Sequence, residues 1–310
     1  PSQQWELARH LRRQEGHTPG TIERIFTVVS AAFRDAARVK IRMDPLGQKI
    51  EGAIVAYAPE IVCRRSSIAR ELRIAPARKG GFVPTLDEMA RFIDALESEH
   101  LKRWIILALN TWARPAAITD FDPLTQYDVR SGLIDLNPAG RLQTNKHRPV
   151  ILATGCLVGW LRRWMSEDAA EQERGAGARP LLIYKRERVG TVKKAVKRIA
   201  AELGFDGFTQ YTPRRFMATT VKRLCPLVTR ERRSLWLGHA VEEGSRTTDH
   251  YEAFDADVLK DVALATEFVM HELQKLASTE LFAVETLLNR ASLRRIGARS
   301  AEKKDTKTKA

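Results

Sequence analysis

A chain of 310 residues, 44% hydrophobic and 29% charged, is long enough for about two domains and reads as globular rather than disordered. Its formal net charge of +14 repels itself in a compact fold, so a polyanionic partner, nucleic acid first, is expected; the plain alternative is a generally basic protein. Cys63, Cys156 and Cys225 stand far apart with no CxxC pair, which argues for a reducing compartment and against a disulfide framework or zinc site.

No apolar run approaches the ~20 residues that a membrane helix needs. Pro1 is not an initiator and no signal-peptide stretch follows it, so a chain lacking part of its N-terminus is expected.

Residues 1–82 read as helical segments with an excess of basic residues. Thr18-Pro19-Gly20-Thr21 is a helix-start signal. In the run that follows, Ile22, Ile25, Phe26, Val29, Phe33 and Ala36 share one helical face, and Asp44-Pro45-Leu46-Gly47 ends it. Arg64, Arg65, Arg70 and Arg73 cluster ahead of a hinge at Lys79-Gly80-Gly81. Either a solvated helix face or a DNA-contacting one accounts for them.

Thr85 and Glu88 form a capping-box pattern for the next helix, with Leu86, Met89, Phe92, Ile93 and Leu96 as its buried face. LKRWIILALNTWARPAAI is apolar nearly all round and reads as a core helix. Arg114 stands where that helix stops, before Pro115. A guanidinium mounted there can clamp a phosphate with two parallel hydrogen bonds, or it can cap the helix or pair with Asp120 or Asp122. LIDLNP and RPVILA read as two short strands joined by a longish loop, with Lys146 at the hairpin's return. Such a lysine can reach into a groove and protonate a leaving oxygen, although on its own it is simply a solvated side chain. TGCLVGWLRRWMSEDAAEQE is an amphipathic helix, LLIYK a strand, and GTVKKAVKRIAAELG a basic helix ended by Gly204. Lys193, Lys194 and Lys197 on the last of these are solvated or face phosphate.

The run from Tyr211 to Tyr251 concentrates the chemistry. Thr212 is expected as N-cap and Pro213 as the first residue of a helix whose first turn carries Arg214 and Arg215. Helix starts favour anions, so Arg214 and the free amides suit a phosphate. Leu237-Gly238-His239 turns the chain back, and Thr247-Thr248-Asp249-His250-Tyr251 brings a phenol that can act as a nucleophile.

An arginine at a helix end (Arg114), a hairpin lysine (Lys146), Tyr211-x-x-Arg214, Leu237-Gly238-His239 and Thr247-Thr248-x-x-Tyr251, in that order, resemble the tyrosine recombinase (phage integrase) family over roughly residues 83–260. ARPAAI and NPAGRLQTNKHRPVIL look especially like integrases of bacterial prophages and mobile elements. The resemblance implies a mainly α fold with a small antiparallel β-sheet. It implies a helical DNA core-binding domain over 1–80, a catalytic domain over 83–278, and a C-terminal helix with a polar tail over 279–310. It implies Arg114 and Arg214 as phosphate clamps, Lys146 as general acid toward the departing 5′-oxygen, His239 as a hydrogen-bonding group and Tyr251 as nucleophile, with Tyr211 and Arg215 in support. No metal and no cofactor is implied. The implied partners are double-stranded DNA, a tetramer of the chain on that DNA joined by C-terminal helix exchange, and a directionality factor; the setting is bacterial cytoplasm.

Three positions depart from the family pattern. Tyr211 stands where a histidine is usual, Ala117 where an acidic residue usually follows the first arginine, and Glu242-Glu243-Gly244 lengthens the approach to Tyr251. These departures motivate an alternative reading, a non-catalytic, sequence-specific DNA-binding regulator on the same scaffold.

Overall fold

The computed structural model describes residues 2–43, 46–74, 81–144, 146–172, 181–239 and 256–283. Two units divide the chain, Pro1–Lys79 and Gly80–Ala310. The architecture is mainly α with small antiparallel sheets.

The first unit holds α1 (Ser2–Arg13), α2 (Pro19–Ala36), the hairpin of β1 (Lys40–Met43) and β2 (Lys49–Gly52), and α3 (Arg65–Glu71). Thr18 caps α2, its hydroxyl accepting from the Thr21 N–H at 3.2 Å. The core is small: Ala8, Ile22, Phe26, Cys63 and Ile68, flanked by Trp5, Leu11 and Leu72. Only part of the expected α2 stripe is buried; Ile22 and Phe26 are, whereas Phe33 is exposed. The all-helical expectation for this region is corrected at residues 40–52, where the strands pair from Lys40↔Gly52 to Met43↔Lys49. The reason is local, since Val39, Ile41 and Met43 alternate with Lys40 and Arg42 at a period of two, which favours a pleated strand over a further turn of α2.

The second unit is built around α5 (Glu99–Thr111), buried on every side from Trp104 to Thr111, where the polar Asn110 and Thr111 side chains bond back to the Ile106 and Leu107 carbonyls. Around it lie α4 (Leu86–Asp94), α8 (Gly155–Gln172), α10 (Thr212–Leu224) and α12 (Lys260–Gln274). The Thr85–Glu88 capping box forms in both directions, the Thr85 N–H donating to Glu88 at 2.7 Å and the Glu88 N–H to Thr85 at 3.2 Å. After α5 come the short helices α6 (Pro115–Thr119) and α7 (Pro123–Gln126). They lead into a three-stranded sheet of β3 (Tyr127–Asp128), β4 (Leu133–Asp135) and β5 (Val150–Leu152). β4 and β5 are antiparallel with Ile134 opposite Ile151, both fully buried, so the expected hairpin is present. A second hairpin, β6 (Ile183–Tyr184) and β7 (Glu187–Arg188), precedes α9 (Lys193–Glu202). Gly204, with φ +73, takes the left-handed position that ends α9.

α12 folds onto the core of its own unit: it packs against α4, α5, α8 and α10 and buries Val262, Ala265, Val269, Met270 and Leu273. Its buried Glu267 accepts from the Gly155 N–H at the start of α8, a favourable place for a carboxylate, although burial raises its pKa. The Asp94 carboxylate at the end of α4 accepts from the N–H groups of Ser278 and Thr279 at 2.9 and 2.7 Å. Leu281 is fully buried and its carbonyl accepts from Trp160 Nε1 at 2.9 Å, which ties the following segment to the same core. Residues 284–310 lie outside the described residues. Among the described residues no helix is long and apolar enough to cross a membrane.

Candidate active site

The site lies where α5, the β4–β5 hairpin, α10 and the end of α11 (Arg230–Trp236) converge. α5 stops because Trp112 takes the left-handed conformation, φ 51, which turns the chain so that Arg114 precedes Pro115 at the start of α6. Trp112 is fully buried, with its ring 6.0 Å from that of Trp236. This indole pair fastens the end of α5 to the end of α11, and Trp236 lines the recess of the site.

Arg214 stands on the first turn of α10. Thr212 is the first residue of that helix rather than its N-cap, a position Tyr211 holds. The correction has a visible cause: the Thr212 hydroxyl is buried and accepts from the Thr209 N–H at 2.8 Å, within the turn before the helix. From α10, Arg214 Nη1 donates to the Trp112 carbonyl at 2.5 Å and Nη2 to the Leu237 carbonyl at 2.7 Å. Nη2 also lies 3.3 Å from His239 Nε2. A guanidinium has no acceptor, so that imidazole nitrogen must be the unprotonated one, leaving the proton on Nδ1.

Arg114 Nη1 donates to the His147 carbonyl at 2.6 Å. Arg114 occupies the N-cap position of α6 without a side-chain cap hydrogen bond, and it does not pair with its two candidate acids, since Asp120 is engaged by Arg148 and Arg188 and Asp122 caps α7 through the Leu124 N–H. Among the described residues neither Arg114 nor Arg214 has a carboxylate partner. The electrostatics reflect this. Burial first and then the neighbouring Arg114 push Arg214 down to about 10, with Tyr211 acting in the opposite direction. Burial, followed by Arg141 and Arg148, lowers Arg114 too, again against Tyr211. Incomplete burial, then Arg214 and Arg114, holds His239 below the usual imidazole value, so it is neutral near pH 7. Two protonated guanidiniums side by side with no counter-charge among the described residues form a place for an anion, and phosphate fits the fork geometry.

Gly238 explains how the Leu237-Gly238-His239 turn reaches this place. Its φ is +64, and a Cβ there would lie 2.7 Å from both the His147 carbonyl oxygen and Pro149 Cδ. The turn rests on the hairpin return at a distance that no side chain permits.

The remaining expected residues are placed as follows. Tyr211 is half exposed and interacts electrostatically with both guanidiniums. Lys146 is exposed on the hairpin return, one residue before the carbonyl that seats Arg114. Arg215 is directed elsewhere: its Nη1 donates to the Phe82 carbonyl at 3.2 Å, making it a strut between α10 and the segment before α4. Lys193, Lys194 and Lys197 are exposed on α9. In the other unit Arg64, Arg65, Arg70 and Arg73 are on or beside α3. Tyr251 lies outside the described residues, as do residues 242–244 and the Thr247-Thr248 pair.

Sequence reasoning missed Trp112, Trp236, Asp120 and Arg148. The last had the clearest signal, since an arginine opening the apolar run RPVIL, once buried with it, needs an acid partner.

No family model matches the chain, and no curated protein matches it. Among solved structures, one titled "Crystal structure of XerA recombinase" is similar at 19% identity, over 63% of this chain and 70% of that one, with a TM-score of 0.40.

Proposed function

We propose that this protein is a site-specific DNA recombinase that breaks and rejoins DNA through a 3′-phosphotyrosine link. The observation that carries the reading is the pair Arg114 and Arg214, which lack a carboxylate partner among the described residues and stand beside a neutral His239. In this reading the two guanidiniums hold the non-bridging oxygens of one DNA phosphate, and His239 donates through Nδ1–H. Negative charge grows on those oxygens as a nucleophile adds, and cations fixed in advance stabilise it without reorganising. The Tyr251 oxygen attacks phosphorus, forming the phosphotyrosine bond as the bond to the 5′-oxygen breaks. The phenolic proton passes to solvent, and Lys146 gives a proton to the departing 5′-oxygen. The reverse attack by a 5′-hydroxyl rejoins the strand, so the bond energy is conserved.

DNA supplies the polyanion that the +14 charge calls for. The cations of α3 and α9 are the proposed backbone contacts, giving salt-dependent affinity. The finer assignments of this reading are an element integrated or excised, a tetramer assembled on DNA, and a directionality factor.

The test is incubation with a nicked duplex carrying the ends of the encoding element. A covalent protein–DNA adduct through a 3′-phosphotyrosine is expected, and Tyr251→Phe should bind the same DNA without forming it. Specific binding with no adduct from the unaltered protein would replace this reading with that of a DNA-binding regulator.

A further inference from the structure

Asp120, at the end of α6, is engaged by two arginines from two different hairpins. Arg148 Nη2 donates to Oδ2 at 2.7 Å from the hairpin return before β5, and Arg188 Nη2 donates to Oδ1 from β7. The two pairs differ in environment, since the Arg148 side chain is only 9% exposed and that of Arg188 is 53%. An ion pair as exposed as the second contributes little. The first is another matter, because Arg148 Nη1 is buried and meets no acceptor among the described residues. Asp120 is thus, among the described residues, the only carboxylate holding a buried guanidinium that is already incompletely satisfied.

Residues 147–149 are the part of the hairpin that touches the site. The His147 carbonyl seats Arg114 at 2.6 Å, and the same oxygen and the Pro149 ring support Gly238, the residue before His239. Arg148 lies between them, and Arg114, His147, Arg148, Pro149, Arg214 and Trp236 line one recess. Removing the Asp120 charge would leave Arg148 buried and uncompensated, a strongly destabilising state that the chain can relieve only by carrying residues 147–149 toward water. That movement takes Arg114's acceptor and Gly238's support with it.

We propose that Asp120 is a positioning residue. By compensating the buried charge of Arg148 it keeps the hairpin return in place, and so preserves the spacing of the Arg114 and Arg214 guanidiniums and the Leu237-Gly238-His239 turn for one tetrahedral phosphate. This deepens the functional reading above and rests on it for the identity of the phosphate as DNA's. The contribution of Arg188 is incidental to it.

Inorganic pyrophosphate tests the placement independently of any reaction. Asp120→Asn, Asp120→Asn with Arg148→Met, and Arg188→Met are compared with the unaltered protein, folding being checked by circular dichroism. The readouts are pyrophosphate affinity by calorimetry and the rate of adduct formation at saturating nicked DNA. Asp120→Asn is expected to weaken pyrophosphate binding and slow adduct formation by about tenfold or more, since small misplacements of oriented groups are costly. The double variant, which removes the buried charge along with its partner, should recover most of both. Arg188→Met should match the unaltered protein. A folded Asp120→Asn protein with normal pyrophosphate affinity overturns the proposal, as does a folded double variant that recovers nothing, or an Arg188→Met loss as large as that of Asp120→Asn. If the unaltered protein forms no adduct, the recombinase reading falls, while the pyrophosphate arm still decides the role of Asp120.

Discussion

Arg214 donates to the carbonyl of Trp112, 2.5 Å away across a sequence gap of 102 residues. The bond exists because Trp112 leaves α5 in a left-handed turn that aims its carbonyl at the first turn of α10. The guanidinium is therefore placed by two backbone carbonyls, those of Trp112 and Leu237, and by no acid among the described residues. Burial has lowered its pKa to about 10, so it stays protonated at neutral pH but at a cost in free energy to the folded state.

That unbalanced charge predicts a response to anions. Phosphate or pyrophosphate should raise the melting temperature beyond what chloride does at equal ionic strength, and an anion at about 100 times its Kd adds about 2.7 kcal/mol. In Arg214→Met, relief of the buried charge opposes loss of the three hydrogen bonds to Trp112, Leu237 and His239, about 1.5–3 kcal/mol each for a charged donor, so the melting temperature without anion should fall. The anion-specific increment should disappear. Thermal denaturation in matched salts reads both quantities, and an Arg214→Met protein that keeps the increment rules out this site as its origin.

His239 should titrate below an ordinary histidine in the free protein, because incomplete burial and both arginines disfavour its cation. The sign for stability follows from linkage. The unfolded chain takes up the proton first as pH drops below about 6.5, so stability held above that value is lost as pH falls through the folded pKa. His239→Asn should flatten this acid limb in part, since His147 is also shifted downward, by burial, Arg114 and Arg141, against Asp135. Imidazole resonances followed by NMR would give the two midpoints separately. Added pyrophosphate should raise that of His239 as it offsets the arginines.

What the sequence made legible divides by the range of the forces involved. The Thr85–Glu88 box, the α5 core helix, the β4–β5 hairpin and the Gly204 stop were all readable because each is set by residues within a turn or two of one another. Thr212 and residues 40–52 were misread where two local patterns compete and tertiary packing chooses between them. The meeting of Arg114, Arg214 and His239 could be expected from the sequence but not located. What locates them is backbone: the carbonyls of Trp112, His147 and Leu237 carry no residue-type signature. Arg215 shows the limit from the other side, since adjacency to Arg214 on one helix directs it to a different face, toward Phe82.

The segment after α12 belongs to the core of its own chain, and Leu281 measures how firmly. It is fully buried, and its carbonyl receives Trp160 Nε1. Leu281→Ala should cost about 2–5 kcal/mol, the range for a buried leucine truncated to alanine. Leu276→Ala, at a position 50% exposed, should cost under about 0.5 kcal/mol. Denaturant unfolding at several protein concentrations gives the comparison. If a neighbouring copy held this leucine, the Leu281→Ala effect would vary with concentration; a core residue of the same chain gives a constant value.

Gly238 and Gly204 separate conformational strain from close approach. Both have positive φ, +64 and +73. At Gly204 no atom lies within 4 Å of the place a methyl group would take, so Gly204→Ala should cost only the left-handed penalty of about 1–2 kcal/mol. At Gly238 the methyl would meet the His147 carbonyl and the Pro149 ring at 2.7 Å, and neither is the flexible end of a side chain. Gly238→Ala must therefore push the turn off the hairpin, adding about 1–3 kcal/mol of overpacking and withdrawing the Leu237 carbonyl and His239 from Arg214. Melting temperature should fall further for Gly238→Ala than for Gly204→Ala, and only the former should lose pyrophosphate binding. Equal losses of stability, with the anion site intact in both, would mean that the turn does not depend on its contact with the hairpin return.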